Sequence, residues 1–280
     1  MVDQPIVMGV LNITPDSFSD GGLFLEAQSA IDQAILMVEQ GADIIDIGGE
    51  STRPGAPDVS AKDELKRVLP VIEALSGNID VPISIDTSKP VVMERAFGAG
   101  ASIINDVYAL RSKGALEMAA SLGADVCLMH MQGNPRTMQK NPKYDDVVSD
   151  VKIFFTERLE ACSDVGIKLE SITLDPGFGF GKNLAHNIAL LKNLAEFHDF
   201  GVSILAGLSR KSMIGSLLGD KEVGSRMIGS VTAALIAVEN GANIIRELMT
   251  LLKPKTHLRF GNKLRILGNN LWINSLVPMA

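Results

Sequence analysis

Eight short apolar runs recur along this chain, and each stops on polar or glycine residues able to do chemistry. The first four are Ile6–Leu11 before Asn12, Ile44–Ile47 before Gly48-Gly49-Glu50, Val81–Ile85 before Asp86, and Ala101–Ile104 before Asn105-Asp106. The others are Val126–Met129 before His130, Ile172–Leu174 before Asp175-Pro176-Gly177, Val202–Ala206 before Gly207-Leu208-Ser209-Arg210-Lys211, and Ala242–Ile245 before Arg246. Runs this rich in Val and Ile, without strict polar alternation, read as strands covered on both faces. Helix-like stretches lie between most of them: Glu26–Gln40, Ala61–Leu75, Pro90–Phe97, Lys113–Leu122, Tyr144–Val165, Leu184–Phe197 and Val223–Asn240, most followed by glycine. The pattern predicts an α/β fold, a (β/α)8 TIM barrel, with every strand end on one rim. In such barrels that rim carries the active site.

The chain's 280 residues make one domain of this kind, since a (β/α)8 barrel takes about 250. Hydrophobic residues make up 46%, enough for a large core without disulfides. Cys127 and Cys162 lie in a strand-like and a helix-like run and are expected to be reduced core thiols of a cytoplasmic protein. The formal net charge of −7 argues against nonspecific binding to nucleic acid or anionic membranes, so an anionic ligand must be met by local cations. No signal-peptide pattern and no membrane-length apolar run is seen. The longest loops, Thr14–Leu25, Ser51–Ser60 and Met131–Lys143, each follow a strand and are expected over the rim. After Glu247 the tail has no Asp or Glu and is basic.

Asp86, Asn105 and Asp175 end three different strands, and buried carboxylates need partners. Their convergence on one mouth suits a heterocycle bearing ring N–H and amino groups, although Asp86-Thr87-Ser88 is also able to cap the helix opening at Pro90. Ser209-Arg210-Lys211-Ser212 follows the seventh strand, where barrels often hold phosphate and where a lysine is a compact donor to a carbonyl oxygen. Gly177-Phe178-Gly179-Phe180-Gly181-Lys182 invites a phosphate-loop reading but fails both standard spacings. Its glycines better suit close passage of the backbone past a flat ligand, with Phe180 as a wall or as packing. Ser51-Thr52-Arg53-Pro54-Gly55 is a turn-rich segment whose guanidinium suits phosphate or carboxylate. His130, lone in an apolar setting, reads as a packing residue, and the remaining histidines give no zinc-ligand spacing.

The same segments carry a resemblance. Met8-Gly-Val-Leu-Asn-Ile-Thr-Pro-Asp-Ser-Phe-Ser-Asp20 resembles the first motif of the dihydropteroate synthases, the folate-pathway targets of sulfonamides. Asp46-Ile-Gly-Gly-Glu-Ser-Thr-Arg-Pro-Gly55 is similar to their second-loop motif. Ser84-Ile85-Asp86-Thr87, Ile104-Asn105-Asp106, Leu128-Met-His-Met-Gln-Gly133, Asp175-Pro-Gly-Phe-Gly-Phe180 and Ser209-Arg210-Lys211 follow in family order, so that residues 5–246 are family-like within a chain of 1–280. The resemblance implies a transferase that joins 6-hydroxymethyl-7,8-dihydropterin diphosphate to p-aminobenzoate with Mg²⁺ assistance. It implies Asn12 and Arg246 at the diphosphate, Asn12 also at the metal, and Asn12, Lys211 and Arg246 as the catalytic set. Asp86, Asn105, Asp175 and Lys211 would hold the pterin, and Thr52, Arg53, Pro54, Phe180 and Ser212 the p-aminobenzoate. It further implies small-molecule substrates only and a homodimer formed through the late helices.

One departure stands out. The family's eighth strand ends in Arg-x-His-Asp, whereas Arg246 is followed here by Glu247-Leu248-Met249, with Leu248 in place of the His. Codon choice permits a shifted frame here, since codons for Glu247–Thr250 read one base earlier can spell Val-Asn-Asp or Ala-His-Asp. Two alternatives therefore stand beside the synthase: a methyltetrahydrofolate-dependent methyltransferase-like barrel, and a pterin-binding protein with impaired catalysis.

Overall fold

The computed structural model describes residues 4–14, 22–53 and 55–247, with 22–26 described by backbone alone. Pro54 and everything from Leu248 onward lie outside the described residues.

All eight apolar runs form parallel strands, and the strands close in chain order into a barrel. They are β1 (Ile6–Asn12), β2 (Ile44–Gly48), β3 (Ile83–Asp86), β4 (Ile103–Asp106), β5 (Asp125–Met129), β6 (Ile172–Asp175), β7 (Ser203–Ala206) and β8 (Ile244–Glu247). Register fixes which residues face inward. Met8 pairs with Ile44, Val10 with Asp46 and Asn12 with Gly48, and the same two-residue alternation runs around the barrel. Outward positions such as Val7, Leu11, Ile45, Ile47, Ile85, Ile104, Leu128, Leu174 and Ile204 are buried between barrel and helices. Burying such a side chain contributes about 1.5–3 kcal/mol, so this layer is what closes the fold. Inside, Met8, Ile44, Cys127, Leu205 and Ile244 form an apolar plug. Toward the strand C-termini the inward positions turn polar, at Asp46 and Asp86 on β2 and β3 and at Asn105, Asp175 and Arg246 beyond.

The helices are α1 (Gly22–Glu39), α2 (Ala61–Leu75), α3 (Pro90–Ala99), α4 (Ala115–Leu122), α5 (Val147–Asp164), α6 (Leu184–Lys192), α7 (Ser212–Leu217) and α8 (Met227–Glu239). Their starts have local causes. Ser60 accepts a hydrogen bond from Asp63 N at 3.1 Å before α2, and Asp146 accepts one from Ser149 N at 2.8 Å before α5. Pro90 opens α3, where its missing N–H costs nothing. Expected and observed elements differ in three places. The expected helix Leu184–Phe197 divides into α6 and a 3₁₀ segment, Leu194–Phe200. The expected helix from Val223 starts as a 3₁₀ turn, and the α-helix begins only at Met227. Six residues from Ser212 form α7, too short to show a periodic pattern. Cys127 and Cys162 are free and buried, and no helix among the described residues is long and apolar enough to cross a membrane.

Candidate active site

The β2, β3, β4 and β8 ends meet in one buried network. Arg246 donates from Nε to Asp46 at 2.6 Å and from Nη2 to Asp86 at 2.7 Å. Asn105 donates from Nδ2 to the same Asp46 oxygen at 3.0 Å. Asp46 is wholly buried and its other oxygen has no protein partner, leaving an acceptor facing the barrel interior. Burial pushes the Asp86 carboxyl up to about 7, against the pull of Arg246 and with a further push from Asp46. Burial also works against the Arg246 charge, but Asp46 and Asp86 overcome it and hold the guanidinium above its ordinary range. Asn12 adjoins this group, since a methyl group at Gly48 would lie 3.5 Å from both Asn12 Oδ1 and Asp86 Cβ.

A second network joins β6 and β7. Asp175 accepts from Gly177 N at 2.8 Å, and burial raises its carboxyl while Lys211 opposes the rise. Lys211 donates to the Phe178 carbonyl, and its ammonium lies 4.8 Å from the centre of the Phe180 ring. Burial pushes Lys211 down to about 8, with Asp175 pulling it up and Arg246 pushing it down. Glycine makes the room: a methyl group would come within 3.3 Å of Lys211 Cδ at Gly179 and 3.6 Å of its Nζ at Gly207. The turn leading to Lys211 is pinned by Ser230 Oγ, which accepts from Arg210 N at 2.9 Å, and by Arg226, which donates to Arg210 O at 3.0 Å.

Thr52 and Arg53 line a cavity of about 500 Å³ with Asp86, Ser88, Tyr108 and Asn134. Beneath that loop, Lys89 pairs with both Glu50 and the fully buried Glu64, and Glu50 also accepts from Val59 N at 3.1 Å. The two ends of the Thr52-Arg53 loop are thereby tied to one side chain. Phe180 and Tyr108 pack on the same cluster of Val107, Met129, Met131 and Met138. Ser212 opens α7 as an exposed residue, outside both networks.

A barrel mouth of this kind has close counterparts. The family model of pterin binding enzymes matches residues 8–247. A dihydropteroate synthase of Escherichia coli (strain K12) is 56% identical over 247 residues, covering 88% of this chain and 86% of that one. The chain belongs to the dihydropteroate synthase family. A solved Yersinia pestis dihydropteroate synthase, in complex with a sulfonamide drug, superimposes with a TM-score of 0.89 at 49% identity, covering 95% of this chain and 96% of that one. The Xanthomonas albilineans dihydropteroate synthase in complex with 7,8-dihydropteroate gives a TM-score of 0.85 at 43% identity, covering 95% of each chain. These relatives do not favour a methyltransferase or a binding-only protein.

Three residues of this family member escaped the reading of its sequence. Asp46 sits inside an apolar run, and only the two-residue alternation Ile44, Asp46, Gly48 would have turned it inward. Glu64 looks like an ordinary helix-surface residue until Lys89 is placed over it. Lys182 ends the glycine-rich segment but is buried rather than offered to an anion. His130 is buried as a packing residue, edge-on to Phe154 at 4.9 Å, and burial together with Lys182 pushes its basicity down to about 2.

Proposed function

We propose that this dihydropteroate synthase condenses 6-hydroxymethyl-7,8-dihydropterin diphosphate with p-aminobenzoate to give 7,8-dihydropteroate and diphosphate. The observation that carries the reading is the network in which Asp46 accepts from Asn105 and Arg246 while Arg246 also pairs with Asp86, beside the Asp175–Lys211–Phe180 network. Ionised Asp86 and Asp175 are acceptors for the ring N–H and amino groups of a pterin, and Asn105 and Lys211 supply donors for its carbonyl and ring nitrogen. Arg246 spends two N–H groups on Asp46 and Asp86, so other donors of its five remain for a diphosphate oxygen.

The arylamine nitrogen of p-aminobenzoate attacks the pterin CH₂ as its C–O bond to diphosphate breaks. The electron pair leaves with diphosphate and the amine loses one proton. An arylamine is already neutral near pH 7, so holding it over the carbon matters more than activating it. Thr52, Arg53, Pro54 and Ser212 are assigned to the benzoate end and Phe180 to its ring. The departing charge falls to Asn12 and Arg246. Among the described residues no group of three His, Cys, Asp or Glu is placed to hold a metal, whereas the Asn12 amide oxygen is a hard donor next to the carboxylate network. That donor set fits a Mg²⁺ held by Asn12 and mainly by the substrate's own phosphates. Bound Mg²⁺ supplies neutralisation of phosphate charge.

We assign the protein to the cytoplasm as a homodimer and a sulfonamide target. The exposed apolar residues Leu217 and Leu218 at the end of α7, with Ile228 and Ile236 on α8, support a dimer face. The deciding assay is diphosphate release from the pterin diphosphate with and without p-aminobenzoate. Dependence on p-aminobenzoate is expected. Tight pterin diphosphate binding without turnover would overturn the assignment and place the defect at Leu248.

A further inference from the structure

Lys182 is 3% exposed, and among the described residues no carboxylate pairs with its amine. Its Nζ lies 2.8 Å from His130 Nδ1, 3.1 Å from the Gly177 carbonyl, 3.1 Å from the Phe180 carbonyl and 3.3 Å from the His130 carbonyl. Burial pushes the Lys182 amine well below its ordinary range, with Asp175 pulling it back up; four acceptors converging on Nζ favour its charged form, the arrangement by which carbonyl cages hold a bare monovalent ion. An ammonium has three donors and no acceptor, so His130 meets it with the lone pair of Nδ1 and carries its own proton on Nε2. The low basicity of His130 agrees with a neutral ring.

The cage is a seam between two loops. Gly177 has φ +70°, and a Cβ there would lie 1.9 Å from the His130 carbonyl oxygen. Gly181 has φ +63°, and a Cβ there would lie 2.8 Å from the Gln132 carbonyl oxygen. The loop after β6 therefore lies directly on the loop after β5, with glycine at both contacts and Lys182 filling the gap. The Gly177 carbonyl also accepts from Phe180 N at 3.0 Å, but among the described residues Lys182 is the donor that meets the His130 and Phe180 carbonyls, and folded proteins avoid burying such groups unpaired. The segment so held supplies both contacts to Lys211: the Phe178 carbonyl and the Phe180 ring.

We propose that Lys182 is a positioning residue, an internal cation that stands in for a bound monovalent ion among the His130, Gly177 and Phe180 carbonyls and fixes Phe178 and Phe180 against Lys211. The proposal rests on the reading that Phe180 and Lys211 face the two substrates. It also explains why a Gly-Lys sequence here is no phosphate loop: the lysine's donors are used inside the fold.

The test compares wild type with Lys182→Met and Lys182→Ala in the full chain. Lys182→Met keeps the aliphatic stem and removes the cation. It is expected to raise the KM for p-aminobenzoate by about tenfold or more while kcat falls less, as for a misplaced wall. Lys182→Ala leaves the cage open, and ammonium chloride is expected to restore its KM toward wild type and raise its Tm, whereas tetramethylammonium chloride at equal ionic strength does neither. A wild-type KM in Lys182→Met, or an identical Tm and KM of Lys182→Ala in the two salts, overturns the proposal. Should Lys182→Met fail to fold, the salt comparison on Lys182→Ala decides. A wild-type chain that shows no p-aminobenzoate-dependent turnover refutes the functional reading instead, and the Tm comparison still decides the cage.

Discussion

Replacing Arg246 by Met keeps most of the buried stem and removes the guanidinium that Asp46 and Asp86 share. Asp46 has no exposed side-chain surface and Asp86 has 12%, so neither carboxylate can turn to water. Breaking a buried pair by removing one partner costs about 3–5 kcal/mol, because the remaining charge is uncompensated. Protonation is the escape, and it makes the cost depend on pH. Asp86 sits at about 7 with Arg246 in place, and Arg246 is the main influence holding it that low. In the variant it rises further, while in the unfolded chain it stays near 3.8. A carboxyl with a raised folded value binds a proton that the unfolded state has released, so stability falls as pH rises between the two values. At about pH 5.5 Asp86 is protonated in both proteins and the variant's deficit is the part that comes from Asp46 and lost packing; by about pH 9 the wild-type Asp86 is ionised and paired, and its part is added in full. Urea unfolding at those two pH values should show the deficit growing by at least about 1.4 kcal/mol, the equivalent of one pKa unit. Adding Asp86→Asn to the variant should remove most of that growth. A deficit equal at both pH values would refute the argument that the guanidinium acts by holding Asp86 ionised.

Two further expectations follow from titrating groups. If Asp86 is the pterin acceptor proposed above, it must be ionised to accept from a pterin N–H, so pterin diphosphate affinity, measured calorimetrically, should fall as pH drops below about 7, by up to about tenfold per unit; Asp86→Asn should bind weakly with a flatter profile, and an unchanged slope would place the titration elsewhere. Glu247 lies between the barrel and the helix layer, and burial alone raises it from 4.5 to about 7, equivalent to about 3 kcal/mol. The folded state resists that charge, so Glu247→Gln should gain stability over wild type as pH rises from 4.5 to about 7 and hold the gain above it, whereas parallel stability–pH curves would show the carboxylate to be paired.

The barrel was legible because each strand carries a local signal, an apolar run that stops on polar or glycine residues, which at Asn12, Asp86 and Asp175 form the strand's last position. Helix α2 reads directly from sequence because Ser60 caps it and an apolar face repeats through Val68, Ile72 and Leu75. The misses arise where local signals are weak or a partner lies far along the chain. Asn193 carries no stop signal as strong as glycine, so the break after α6 is silent in sequence. Asp46 and Arg246 are 200 residues apart, and neither alone announces a buried pair. Lys182 shows the same limit in reverse: its neighbours suggested an anion, and only the carbonyls of His130, Gly177 and Phe180 show where its charge is used.

A chain of net charge −7 that takes a diphosphate substrate faces opposed demands at one mouth. The pterin's N–H edge calls for ionised carboxylates, and the diphosphate calls for cations. Placing Asp86 and Asp175 alone at the rim would repel the leaving group, while placing Arg246 and Lys211 alone would leave the pterin edge without acceptors. Each carboxylate is instead set near a cation: Asp86 is in contact with Arg246, which Asp46 shares, and Asp175 is under the attraction of Lys211. Close pairing cancels the field at distances beyond the pair, yet each member keeps unused hydrogen-bonding capacity for a ligand that touches it. Recognition then depends on contact geometry more than on long-range attraction. On that argument, the parts that fix geometry, such as the glycines under Lys211 and the Lys182 seam beneath Phe180, matter to function as much as the charged groups themselves.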